Sequence, residues 1–390
     1  MGIDDPKMNN PKMVKTNQAG KQNLAKTARP RKNPALAANN TFMLLLAAVI
    51  ILSLLNVAQV KGLFIQAQPE VKITEGTVAL GSLTLEQKIA QMLIVQGNID
   101  NLQAWRDLQL GGLHLFARES EDLFKEQIAL FQKDLPIPFF ITVDLEGCVN
   151  PFLNFRNFTA AIDIDNLNQA YLKGLEEGKF LKDIGVNLNF APVVDLEDQI
   201  WNCRSFPGSE LQISDLAQSY INGLQNFGIL ATIKHYPGKT LVVRDPHKFI
   251  VNAHIEKKDL TPYNFALKRG TVKAVMVSHI ITDGAIDSDH LPSVVSRKVL
   301  TELKSQYPGL IISDEINMLG LKNFYRTIDE MYIAVFKAGN DLILNFNSDP
   351  NEINRMIKVV AAAAQSGEIS IIEIDASVRK ILEAKGLSVV

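Results

Sequence analysis

Eight short apolar runs recur along the chain, and they constrain its fold more than any other feature. They are LIVQG (93–97), GGLHLFA (111–117), PFFITVDLEG (138–147), VNLNFAPVVDL (186–196), ILATIKHYPG (229–238), KAVMVSHI (273–280), GLIISDEI (309–316) and NDLILNF (340–346). Largely apolar runs of this length suit strands buried on both faces, as in a parallel sheet. Amphipathic stretches lie between them, among them 167–184, 213–227, 260–269, 296–306 and 327–338. Eight strand and helix units over about 280 residues predict an α/β fold, a (β/α)8 TIM barrel. No GxGxxG follows the first run, which counts against a dinucleotide-binding sheet. Residues 352–364 and 371–385 read as closing helices, leaving no length for a second domain.

The N-terminal part is different. Through Asn40 there are eight Lys or Arg against Asp4 and Asp5, a net charge of +6, so the rest of the chain carries −8 of the total −2. An acidic body argues against nucleic acid as a partner, because phosphate binding needs a basic face. Residues 1–40, rich in Asn, Lys, Pro and Ala, bury too little surface to offset ordering entropy and read as a disordered basic tail. FMLLLAAVIILSLLNVAQV follows without a charge. About 19 helical residues cross about 30 Å of hydrocarbon, so 41–60 are predicted to be a transmembrane signal anchor. Lys21, Lys26, Arg29, Arg31 and Lys32 before it predict a cytoplasmic N-terminus and an extracytoplasmic body. A cleaved signal peptide is the alternative. Residues 61–80 read as a linker and 81–390 as the barrel, which opens on a capping box of Thr84 and Gln87.

In such a barrel the catalytic groups stand at the C-terminal ends of the strands. Those ends carry Asp144 and Glu146, Asp195, Lys234 and His235, His279, and Asp314 with Glu315. The densest set is IKHYPGKTLVVRDPH (233–247), where Lys234, His235, Lys239, Arg244, Asp245 and His247 open off an apolar strand. So many ionisable groups beside a buried strand are costly to desolvate unless a site neutralises or uses them.

KHYPGK with DPH downstream, NFAPVVDL, RSF and ISDEINM, in the same order along the barrel, resemble the signatures of glycoside hydrolase family 3, in its single-domain β-N-acetylglucosaminidase branch. The resemblance spans about Leu83 to Leu387. It implies a retaining glycosidase that removes terminal β-linked N-acetylglucosamine from cell-wall-derived or other amino-sugar glycans, without cofactor or metal. Asp314 resembles the nucleophile that attacks the anomeric carbon. His247 resembles the general acid/base, with a pKa suited to proton transfer near neutrality. Asp245 would orient its imidazole, and Glu315 would point elsewhere. Asp144, Arg204, Lys234 and His235 resemble sugar-binding residues, and Met318 the pocket wall. Pairing of Lys234 with Asp195 is the structural alternative. His279 and Asp283 are rim residues without an assigned role.

The pattern departs in two loops. Cys148 stands where a glycine is usual after Asp144-Leu-Glu-Gly, and a following arginine is missing. Lys239-Thr240 replace a usual His-Gly, and Pro246 stands between Asp245 and His247. These changes keep two rivals open: a β-glucosidase or β-xylosidase of the same family, and a degenerate barrel that binds glycan or scaffolds partners without cleavage. A neutral histidine would not repel phosphate, so phosphorolysis stands beside hydrolysis. Cys148 and Cys203 fall in loops after adjacent strands and outside a reducing compartment, so a disulfide between them is expected, with two free thiols as the alternative. Neither has a Cys or His neighbour at zinc spacing.

Overall fold

The computed structural model describes residues 34–60 and 65–390 apart from Val243, Pro246 and His247, with side chains in the first helix described from Phe42 to Val57. The catalytic candidate His247 and most of the basic tail therefore lie outside the described residues. The first helix, Pro34–Val60, contains the predicted membrane segment. Its side chains from Phe42 to Val57 are exposed and carry no charge. Among the described residues no helix is long and apolar enough to cross a membrane. The described side chains of this one cover about 24 Å at 1.5 Å per residue.

All eight apolar runs form strands: β1 (Leu93–Gln96), β2 (Gly112–His114), β3 (Phe140–Val143), β4 (Leu188–Asn189), β5 (Leu230–Tyr236), β6 (Ala274–Val277), β7 (Leu310–Ser313) and β8 (Ile343–Asn345). Strands β1 to β7 pair in parallel with their neighbours in sequence, and β8 returns to β1 through Ile343↔Leu93. Between β7 and β8 the link is a single bridge, Ile312↔Leu342, which leaves the barrel nearly closed. A register shift between Ile233 and Tyr236 bends β5 where its charged end begins.

Helices cover the barrel because each has one apolar stripe. Pro350–Gln365 buries Ile353, Met356, Ile357 and Val360 at helical spacing; each such side chain contributes about 1.5 to 3 kcal/mol by leaving water. Leu167–Ile184 and Glu210–Gln225 approach closely because small residues meet. A Cβ on Gly174 would stand 2.2 Å from the Tyr220 carbonyl oxygen, and one on Gly223 2.3 Å from that of Tyr171. Thr84 and Gln87 form the expected capping box at the start of Leu85–Gln91.

The stretch read as a linker is partly built into the barrel. Ile65, Val71 and Val78 are buried. Ile73–Thr74, Thr77–Val78 and the C-terminal Ser388–Val389 make a three-stranded sheet, so the two ends of the barrel sequence are stitched together.

Candidate active site

The strand ends converge on a cavity of about 360 Å³ at the C-terminal mouth of the barrel. Asp144, Arg204, Lys234, His235, Asp314 and Met318, all singled out in the sequence, line it together with Glu146, Glu315 and the rings of Phe116, Phe190, Trp201 and Phe346. Asp245 is not among the lining residues. It is partly buried on the loop after β5, where its carboxylate is 3.3 Å from Lys248 Nζ and its carbonyl accepts from the amides of Lys248 and Phe249.

Glu146 is the electrostatic centre of the cavity floor. Arg204 donates to it from Nε at 2.6 Å and from Nη2 at 2.9 Å, and Lys234 Nζ lies 2.6 Å away. All three side chains are buried. Burial alone would raise the Glu146 pKa, but Arg204 and Lys234 outweigh it and hold the carboxyl well below its usual range. Lys234 Nζ also bonds Asp144 Oδ1 at 2.5 Å. Burial works against its charge, and Asp144 and Glu146 override that, so its pKa stays above the ordinary lysine value.

Lys234 thus takes Asp144 and Glu146 and not Asp195, the structural alternative. Asp195 instead accepts from His235 Nδ1 and Tyr263 OH, both at 3.1 Å. With Nδ1 donating, His235 Nε2 is left as the acceptor facing Arg204 Nη2 at 3.4 Å. Of the two carboxylates at the end of β3, the Asp144 side chain is 31% exposed and the Glu146 side chain 1%. Asp144 is thus the one open to a ligand.

Behind Asp144 stands His114, at the end of β2 within the apolar run GGLHLFA. Its Nδ1 is 3.0 Å from Thr142 Oγ1, its Nε2 3.5 Å from Asp144 Oδ2, and its ring stacks on Phe346 at 4.5 Å. Burial, opposed by Asp144, lowers its pKa from 6.5 to about 4, so the ring is neutral at physiological pH. Asn189 is a second unforeseen support. It exchanges two hydrogen bonds with the Leu145 backbone, each 2.9 Å, and so fixes the chain just before Glu146.

Asp314 is half-buried at the end of β7, and its Oδ1 accepts from the Glu315 amide at 2.8 Å. Glu315 was expected to point away, yet it also lines the cavity. Its Oε1 is engaged by Asn317 N (3.0 Å), Asn317 Nδ2 (2.8 Å) and Phe346 N (3.0 Å), which joins the loops after β7 and β8. Burial keeps its pKa above the ordinary value. The rim residues resolve simply: His279 Nε2 bonds the Glu315 carbonyl at 2.8 Å, and Asp283 pairs with His254 at 2.5 Å.

Cys148 and Cys203 are joined, with Cα atoms 6.1 Å apart. The bridge ties the loop carrying Glu146 to the loop carrying Arg204. The first loop turns at Gly147, whose φ of +108° suits glycine. A Cβ there would also stand 2.2 Å from the Thr159 carbonyl oxygen. In the second, Asp198 Oδ2 accepts from the amides of Cys203 (3.0 Å) and Arg204 (2.8 Å). Among the described residues no group of His, Cys, Asp and Glu could hold a metal ion.

Residues 84–384 match the sequence profile of the family described as glycosyl hydrolase family 3 N terminal domain. A beta-hexosaminidase of Tolumonas auensis is 30% identical over 66% of this chain and 82% of its own. Beta-hexosaminidase A of Pseudoalteromonas piscicida is 23% identical over 71% of this chain, and the match covers only 53% of that relative. Among solved structures, a glycosyl hydrolase of the same family from Mycobacterium smegmatis superposes with a TM-score of 0.72 at 25% identity, covering 78% of this chain and 98% of that one.

Proposed function

The chain belongs to glycosyl hydrolase family 3, and from that premise we propose that it is a retaining β-N-acetylhexosaminidase acting on amino-sugar glycans. Asp314 attacks the anomeric carbon while His247 protonates the departing glycosidic oxygen. The resulting glycosyl ester on Asp314 is cleaved by a water that His247 deprotonates, so configuration is retained. Asp245 orients the imidazole. Asp144, held by Lys234, accepts hydrogen bonds from sugar hydroxyls, while Arg204, His235 and Met318 complete the sugar pocket.

The observation that carries this reading is the shared cavity: Asp314 from β7 opens onto the same space as Asp144, Lys234, His235 and Arg204. The relatives named beta-hexosaminidase support the choice of sugar. The test is turnover of a chromogenic N-acetylglucosaminide by the wild type and by Asp314→Asn. Cleavage by the first and not the second is expected; a wild type inert toward every amino-sugar glycoside would refute it. Faster turnover of glucosides or xylosides would move the assignment to the rival sugar.

Residues 41–60 serve, in this reading, as an uncleaved membrane anchor with the barrel outside the cytoplasm. The charge-free exposure from Phe42 to Val57, apolar but for Ser53 and Asn56, supports it, as do the basic residues before the helix. Retention in the pellet after alkaline carbonate extraction, together with a reporter after Val390 that is active only outside the cytoplasm, is the expected result. Release into the carbonate supernatant would defeat the anchor.

A further inference from the structure

Lys239, one of the three residues that depart from the family pattern after β5, has a structural task. It takes φ of +57°, uncommon for a residue other than glycine. From there its Nζ donates to the His254 carbonyl at 2.9 Å and lies 3.2 Å from Asp259 Oδ2 and 3.6 Å from Glu256 Oε2. Asp259 is almost fully buried, and its Oδ2 also accepts from the Glu256 amide at 2.8 Å. A buried carboxylate beside a partly shielded ammonium is screened less than a surface pair.

The position of these partners matters more than their number. Lys239 stands where the loop leaves β5, and His254 stands where it returns, in the strand Asn252–Ile255 that pairs in parallel with Ile281–Gly284. Between them lies Asp245. Thr240, next to Lys239, faces the cavity, and the Leu241 carbonyl accepts from the Gln199 amide at 2.9 Å.

We propose that Lys239, standing where the resembled pattern has histidine, is a positioning residue that clamps the two feet of the loop bearing Asp245 and so secures the acid/base segment. The proposal rests on the reading of Asp245 and His247 given under Proposed function. A loop whose ends are held has less freedom to lose when its groups must be aligned for proton transfer.

The experiment compares wild type, Lys239→Met and Lys239→Arg on two N-acetylglucosaminides. One has an alkyl aglycone that must be protonated to leave, and the other a dinitrophenyl aglycone that leaves unaided. Lys239→Met is expected to lose about tenfold or more in kcat/KM on the alkyl substrate, part of what a general acid contributes. It should lose little kcat/KM on the dinitrophenyl substrate, whose first step needs no acid, while kcat and KM there fall together with the slowed activation of water, and Lys239→Arg should recover most of the rate. Equal losses of kcat/KM on both substrates, or none on either, overturn the proposal. Should the wild type turn over neither substrate, amide hydrogen exchange over residues 240–254 decides the clamp independently. Faster exchange confined to that segment in Lys239→Met supports it, and unchanged exchange overturns it.

Discussion

Arg204 grips Glu146 through two parallel N–H···O bonds, at 2.6 and 2.9 Å, across 58 residues of sequence. With Lys234 on the same carboxylate, the floor of the cavity is a buried network of one anion between two cations, with Asp144 beside it as the more exposed carboxylate. Such a network is strong only while complete.

Glu146→Gln keeps the shape and removes the charge, leaving two cations facing each other. The unfolding free energy is expected to fall by about 3 to 5 kcal/mol, the usual cost of breaking a buried pair. Because the folded pKa of Glu146 is depressed, its stabilisation is complete above its ordinary value of 4.5 and is lost as pH drops below that. Denaturant titrations of both proteins between pH 3 and 7 check this. The two curves should converge toward the acid end, and a constant gap would contradict the assignment.

His114 should remain neutral throughout the mildly acidic range. Its folded pKa of about 4 lies below the ordinary 6.5, so the unfolded chain binds more protons between those values and stability declines as pH falls through that window. Proton NMR of the ring is expected to titrate near 4, and His114→Phe to flatten the acid loss of melting temperature between 6.5 and 4. A ring titrating above 6 would show that the aromatic cage does not exclude the charge.

Lys385 poses the opposite question at the far end of the chain. Its Nζ bonds Gln91 Oε1 at 2.9 Å and lies 5.1 Å from the Phe140 ring centroid, and burial lowers its pKa from 10.5 to about 7. The unfolded chain therefore binds more protons between 7 and 10.5, and stability rises with pH across that interval. Lys385→Met is expected to melt higher than wild type at pH 6, with the gain shrinking toward pH 10. A destabilised variant at pH 6 would mean that the bond to Gln91 outweighs the burial cost.

Reducing the bridge between Cys148 and Cys203, or replacing both with serine, should destabilise the barrel by about 2 to 4 kcal/mol through the freed 55-residue loop. The same change loosens the loops that carry Glu146 and Arg204, so KM is expected to rise more than kcat falls. Calorimetry and steady-state kinetics with and without a thiol reductant test the two effects separately.

Much of the fold could be read directly because strands buried on both faces must be apolar along their length. LIVQG, KAVMVSHI and the other runs announce themselves, and Thr84 with Gln87 marks a helix start through contacts only three residues apart. The ends of the runs likewise pointed to Asp144, Lys234, His235 and Asp314, since a barrel has one rim where polar groups can gather. His114 was hidden by the same logic. A histidine within GGLHLFA reads as part of the core until the rings of Phe346 and Phe190 are found around it.

Pairing is where reading stopped. Lys234 had Asp144, Glu146 and Asp195 within reach in principle, and nothing local distinguishes a partner 90 residues away from one 39 away. Barrel closure puts β3 and β5 on either side of β4, and the side-chain directions at their ends then hand Lys234 to Asp144 and Glu146 and give Asp195 to His235. The sequence by itself therefore determined the strands, the rim and the kinds of group on it, because hydrophobic patterning is local. Which charge neutralises which was decided only by the tertiary structure, because burial and distance in space set the energy of a charge, and neither is a property of position along the chain.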